Sequence, residues 1–297
     1  MLFRSFVFLL LRLSSGDPAA LIAGESATEA DIERVRAQLG LDRPLWEQYG
    51  IWIWQLLHGD LGRSVQSNLP VTELIAQRLE PTLSLAVTTM TFALLISIPV
   101  GVFAASRAGT KIDRALMVFS VMSFSFPVFF TGYLLVWLLS VKAGLFPVQG
   151  FKSIREGIGP FASSIALPTI TLGLAYLALL TRMTRSAMLE VLRQDYIRTA
   201  RAKGLPQRAI LFVHALKNAS VPIVTTAGVG VALLIGGAVI TESVFALPGL
   251  GRLTVDSILS NDYPVIQGLI LFFSCVYVLL NLVIDIAYCV LDPRIRY

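Results

Sequence analysis

Leu83–Ala105 reads LSLAVTTMTFALLISIPVGVFAA, a stretch without a single Asp, Glu, Lys or Arg. A helix needs about 20 such residues to cross the hydrocarbon of a bilayer, so this segment reads as a membrane span. Four further uncharged windows follow: Ala115–Val141, Gly157–Thr181, Asn218–Thr241 and Tyr263–Ile284. Ahead of them, Met1–Leu11 is apolar except for Arg4, and Arg12 follows at once. That stretch is too short to cross about 30 Å of hydrocarbon in one pass. It reads either as the apolar region of a signal peptide or as an incomplete first membrane helix; Ser14–Pro18 is a poor cleavage site and five spans follow, which favours the helix. Composition agrees with a membrane protein. The chain has 297 residues, 55% hydrophobic and 14% charged, with a mean hydropathy of +0.73. A soluble domain carries roughly one-quarter charged residues, so a water-soluble enzyme is nearly excluded.

Charge sets the expected topology. Between Arg182 and Lys217 lie eight Lys and Arg against only Glu190 and Asp195. Arg107, Lys111 and Arg114 mark a second basic loop, and Arg294 and Arg296 mark the tail. The region 15–81 reverses the balance, with ten acids against five bases. The positive-inside rule then predicts six helices with both termini cytoplasmic. The expected layout is a partial first membrane helix over 1–14, an external helical segment over 15–82, a core transmembrane domain over 83–292 and a cytoplasmic tail over 293–297. The core contains a cytoplasmic loop at 182–218 and an external loop at 242–263.

Within the external segment, Ile32, Val35 and Leu39 share a helical face, with Thr28 as N-cap and Gly40 as stop. A second amphipathic helix follows Pro44 and ends at Gly59 and Gly62. A third runs from Val71 to Leu79 before Pro81 turns the chain into the membrane. Trp46, Trp52 and Trp54 fit interfacial anchoring or packing, with a substrate cage as the other reading. In the window Ala115–Val141, Pro127 is expected to kink or interrupt the helix. Ser120, Ser123 and Ser125 before it either bond local carbonyls or line a polar passage. Pro248-Gly249-Leu250-Gly251 reads as a compact external turn. Glu242 sits at the membrane edge, where a headgroup or a basic neighbour is in reach. Cys275 and Cys289 read as packing residues, and His58 and His214 lack the neighbours a metal site needs.

Asp195 to Gly204 reads as a short basic helix capped by Asp195 and stopped at Gly204, with Pro206 opening another helix towards Asn218. Thr199, Ala200 and Ala202 form a small-residue face, and Arg198, Arg201 and Lys203 carry charge. Such a rigid projection would transmit movement; the plainer reading is a basic loop held inside by lipid charge.

This loop resembles the cytoplasmic loop of ATP-binding-cassette importer permeases, in the form typical of the peptide importers. Their pattern Asp-Tyr-x-Arg-Thr-Ala-Arg-Ala-Lys-Gly matches Asp195–Gly204, and His-Ala-Leu-x-Asn-Ala matches His214–Ala219. Gly16-Asp17-Pro18, Leu39-Gly40-Leu41, Gly59-Asp60-Leu61-Gly62, Pro248-Gly249-Leu250-Gly251 and Asp262-Tyr263-Pro264 extend the likeness over nearly the whole chain. It resembles the first of the two membrane subunits in dipeptide, oligopeptide and glutathione importers.

The resemblance implies an all-α polytopic fold, the type I importer transmembrane domain with six helices; the family begins with a complete first helix, whereas this chain is expected to hold only part of one. It implies a second, related permease subunit, two ATPase subunits and an extracytoplasmic solute-binding protein, all at the bacterial cytoplasmic membrane. Membrane lipid would surround the chain, and nucleic acid has no part. No cofactor is expected in this chain: it has no phosphate-binding loop, and ATP and Mg would be bound by the ATPases. Asp195, Arg198, Thr199, Ala200, Arg201, Lys203 and Gly204 would couple to the ATPase. Glu242, Pro248, Gly249, Gly251 and Asp262 would shape the external loop. Two other classes are weighed against this. An ion-coupled secondary transporter would carry ion ligands at the midplane, and a membrane-embedded enzyme would need a catalytic constellation that His58 and His214 cannot form.

Overall fold

A computed structural model describes residues 19–20, 28–38, 40 and 42–291. The expected partial first helix, the Gly16-Asp17-Pro18 triplet, Leu39, Leu41 and the tail lie outside the described residues. Every regular element among those described is helical. Four helices are long and apolar enough to cross a membrane: Val71–Ser106, Ile158–Leu192, Gln207–Gly236 and Tyr263–Cys289. A fifth crossing arises if the pair Lys111–Ser123 and Val128–Lys142, bent by 95°, counts as one span. The protein is therefore an all-α polytopic membrane protein with four or five spans among the described residues, and the break falls at Pro127 as expected.

The chain forms two compact units. The first comprises residues 1–80 and 249–275. Helix α1, Glu29–Gln38, is capped reciprocally: the Thr28 hydroxyl donates to the Asp31 carboxylate at 2.6 Å and accepts from the Asp31 amide at 3.3 Å. The hydrogen bonds from Thr28 hold the Asp31 carboxyl below its ordinary value. The left-handed Gly40, φ +63°, follows. Helix α2, Leu45–Leu57, starts after Pro44 and buries no residue; Trp46 and Trp54 stay exposed on it.

Helix α3, Val71–Ser106, departs from expectation, because Pro81 and Pro99 both lie inside one continuous helix. Its first turn does not end at Leu79. Val71, Leu74 and Ile75 are covered by protein, packing with Leu250, Leu253, Val265 and Leu269. The expected external turn at Pro248–Gly251 is also corrected. Gly249 is an extended N-cap, φ −98° and ψ 176°, for a ten-residue helix, Leu250–Leu259, and burial of Leu250 and Leu253 anchors that helix. The tight turn lies earlier, at Phe245 and Ala246, where Ala246 has φ +49°.

The second unit comprises residues 81–248 and 276–297. Helix α4, Lys111–Ser125, begins at the cap Thr110, and α5, Val128–Leu135, continues into a π-helical turn, Val136–Lys142. Ser120, Ser123 and Ser125 each donate to the carbonyl four residues back, at 2.9, 3.0 and 2.8 Å, so these serines bond their own helix. Helix α6, Ile158–Leu192, is followed by α7, Asp195–Ala202, the short α8, Gln207–Ala209, a π-helical turn at Ile210–Ala215, α9, Leu216–Gly237, and α10, Val239–Val244. The Leu250–Leu259 helix of the first unit is α11, and the last helix, α12, is Tyr263–Leu291.

Small residues let these helices meet closely, as lipid-embedded packing requires. Gly173 of α6 lies directly against the Phe92 ring of α3, and Gly228 of α9 directly against Ile284 of α12. Hydroxyl pairs reinforce the crossings: Thr88 with Thr169 at 2.8 Å, and Thr225 with Tyr288 at 2.6 Å. Glu242 does not face headgroups. It is fully buried, and the Thr82 hydroxyl donates to its carboxylate at 2.8 Å.

Candidate coupling site

The helix α7 is built as an amphipathic clip. Gln194, extended at φ −73° and ψ 151°, is its N-cap and supplies no side-chain bond. Asp195 is therefore the first helical residue and not the expected cap. Its charge still favours the helix start through the backbone dipoles. Arg198 Nη1 approaches Asp195 Oδ1 at 3.3 Å, with both side chains largely exposed, so water screens the pair and it adds little.

Three-residue spacing puts Ile197 and Ala200 on the inner face, where both are buried. They pack with Ala187, Met188 and Val191 of α6, with Ile210, Leu211 and Ala215 of the π-helical turn, and with Val102 and Ala105 of α3. Burying Ile197 alone contributes about 2 kcal/mol. Ala200 thus serves the core and is not part of a free small-residue face. Arg198, Thr199, Arg201, Ala202, Lys203 and Gly204 all remain exposed.

The exit of α7 is a Schellman closure. The Gly204 amide donates to the Arg201 carbonyl at 2.9 Å, and the Leu205 amide to the Ala200 carbonyl at 3.3 Å. Gly204 adopts φ +77°, and no atom lies within 4 Å of where a Cβ would stand. At the other side of the clip, Asn218 Nδ2 donates to the Tyr196 hydroxyl at 2.6 Å. An open groove of about 490 Å³ runs alongside, lined by Glu190, Gln194, Tyr196, Asn218 and others. The result is a basic, solvent-facing helix gripped from behind by three membrane helices.

The residues expected at the external loop are not gathered at this site. Pro248 is exposed, whereas Gly249 and Gly251 are buried. Asp262, buried, accepts from the Ser64 hydroxyl at 2.5 Å and the Val65 amide at 3.2 Å. It fastens the segment after Gly62 to the start of α12. Among the described residues no three His, Cys, Asp or Glu side chains are grouped to hold a metal ion. His58 Nδ1 lies 2.8 Å from the Trp54 carbonyl. Cys275 and Cys289 are both free and exposed.

Sequence reasoning missed Ile197, Tyr196 and Asn218, which hold α7 in place. The spacing of Ile197 and Ala200 on a helical wheel was the available signal for the first.

Long apolar helices that hold a basic, solvent-facing projection define the class as a polytopic membrane protein. The chain belongs to the family of binding-protein-dependent transport system inner membrane components, whose description matches residues 97–297. The N-terminal part of such membrane components matches residues 1–86. A probable peptide ABC transporter permease of Sinorhizobium fredii is 50% identical over 292 residues, covering 98% of this chain and 93% of the relative. The dipeptide transport system permease of Escherichia coli is 42% identical over 314 residues, with 98% and 93% covered. Among solved structures, the inward-facing MetNI methionine ABC transporter gives a TM-score of 0.60 at 20% identity, covering 74% of this chain and 97% of that one, a likeness of fold. The protein is therefore a non-catalytic, multi-pass permease subunit of the bacterial inner membrane. In this family ATP and Mg are used by partner ATPase subunits.

Proposed function

We propose that this chain forms half of the translocation pathway for ATP-driven import of peptides: dipeptides, oligopeptides or related molecules such as glutathione. The cargo class rests on relatives named as peptide and dipeptide permeases, matched over 98% of the chain. The observation that carries the mechanism is the grip on α7. Ile197 and Ala200 fix the helix to the ends of α3, α6 and α9, while Arg198, Thr199, Arg201 and Lys203 are exposed where a partner can reach them.

In this reading a second, related permease completes the pathway, two ATPase subunits seat the Asp195–Gly204 helices, and a solute-binding protein delivers cargo. Closure of the ATPases on ATP draws the two helices together, and differential stabilisation of inward- and outward-facing states supplies the work. Gly204 permits the sharp exit, and the bases meet the rim of the ATPase groove. Both termini are cytoplasmic, six helices cross the membrane, and the segment 15–82 with the loop 242–263 is external. Of the five residues expected to shape that loop Pro248 is the exposed one, Glu242, Gly249, Gly251 and Asp262 hold its shape, and specificity resides largely in the binding protein.

The test is reconstitution of the assembled complex in liposomes with a labelled dipeptide. Uptake is expected only with ATP, ATPase subunits and binding protein together. Uptake that persists without any ATPase subunit would overturn the reading.

A further inference from the structure

Asp113 and Arg185, 72 residues apart, form a two-point ion pair: Arg185 Nε donates to Asp113 Oδ1 at 2.6 Å and Nη2 to Oδ2 at 2.8 Å. The Asp113 side chain is 4% exposed and that of Arg185 26%. A paired fork of this kind fixes direction as well as distance, and a carboxylate so buried is costly to leave without its cation. The carboxylate is also tied to its own loop. The Gly109 amide donates to Oδ2 at 2.9 Å, and the Asp113 amide donates to the cap Thr110 at 3.3 Å.

The place of this pair in the fold gives it a use. Arg185 stands on α6 one residue after Thr184, which is pressed so closely by Gly101 of α3 that a Cβ there would come within 2.6 Å of the Thr184 Cβ. Two and three residues further on, Ala187 and Met188 join the core that grips α7. Asp113 stands in the first turn of α4, the half-span that ends at the 95° bend before Val128. The Gly101 crossing joins α3 to α6, and the ion pair joins α4 to α6, on the same stretch of helix that holds α7.

We propose that Asp113 and Arg185 are positioning residues for coupling: through their fork, displacement of α7 and the end of α6 is handed to α4. The inference rests on the function proposed above. Without the fork α6 still packs on α7, but the directional tie from the start of α4 to α6 is lost.

The experiment uses the assembled transporter in liposomes carrying Arg185→Met or Asp113→Asn, with Arg185→Lys, which keeps charge but loses the two-point fit, and Asp113→Glu, which keeps both oxygens but displaces them by one carbon. Expected are near-normal membrane levels for Asp113→Asn and lower ones for Arg185→Met, whose buried carboxylate loses its cation, with ATPase binding and ATP turnover per assembled complex retained and uptake per ATP reduced about tenfold in both neutral variants and less in Arg185→Lys. Hydrogen exchange supplies a readout independent of transport: residues 111–117 should exchange faster in the variants while 195–202 stay unchanged. Unaltered uptake per ATP, or unaltered exchange at the start of α4, would overturn the proposal. If the neutral variants fail to accumulate, the charge-keeping pair is read by the same two measurements. A wild-type complex without ATP-dependent uptake would sink the functional reading instead, and the exchange result would still decide whether the fork fastens α4 to α6.

Discussion

Replacement of Gly204 is the sharpest perturbation of the proposed coupling. At φ +77° the residue sits where L side chains are strained, by roughly 1–2 kcal/mol, and a β-branched side chain fares worst. That cost lowers the population of the closed exit of α7 by about five- to thirtyfold if nothing compensates. Within this chain an added carbon meets no atom inside 4 Å, so the penalty is conformational and does not reach the buried core. Gly204→Val is therefore expected to insert and accumulate normally while dipeptide uptake and transport-linked ATP turnover fall together. Gly204→Asn divides the two causes, because Asn tolerates the left-handed region. Recovery with Asn assigns the effect to the exit geometry, and continued loss assigns it to close approach by the ATPase. The assay is uptake in liposomes alongside ATP hydrolysis, each normalised to membrane protein. Wild-type uptake in the Val variant at equal protein level would refute the reasoning.

Asp262→Asn should weaken the bonds from Ser64 and the Val65 amide, loosening that junction by about 1–3 kcal/mol, seen as faster hydrogen exchange at residues 64–67. Gly228→Leu should collide with Ile284 and lower the amount of protein in the membrane, and adding Ile284→Ala should restore it; quantitative immunoblotting of membranes checks both. Asp195→Asn should leave the amount of protein in the membrane within about twofold of wild type, since the exposed Arg198 pair contributes little to folding, and the same immunoblot reads it.

Local chemistry was legible in the sequence wherever one residue decides the outcome. Uncharged windows located the spans, Pro127 broke α4 from α5, Thr28 capped α1, and Gly40 and Gly204 took left-handed conformations. What escaped depends on partners distant in the chain. Leu250–Leu259 looked like a turn because Pro248 and two glycines punctuate it, yet burial of Leu250 and Leu253 outweighs that signal and makes a helix. Pro81 looked like a stop, but α3 continues through it, its first turn covered by α11 and α12 side chains. Glu242 read as a membrane-edge acid within reach of a headgroup or a basic neighbour, whereas it is buried with Thr82, 160 residues away, beside it. Of the coupling site, the position of the helix and its glycine were readable, while the inward turn of Ala200 follows from the core it meets.

Helix α6 runs unbroken for 35 residues, a rod of about 52 Å. One end lies against α7; the other begins beside the capped turn Ser153–Glu156, where the Lys152 amide donates to Ser164 at 3.2 Å. A tilt of about 10° around its middle would swing each tip by roughly 4.5 Å in opposite directions. Such a seesaw needs no unfolding: a stroke delivered at one end would reach the far end reversed in sense, after passing Pro168, where the helix lacks one backbone bond and can flex.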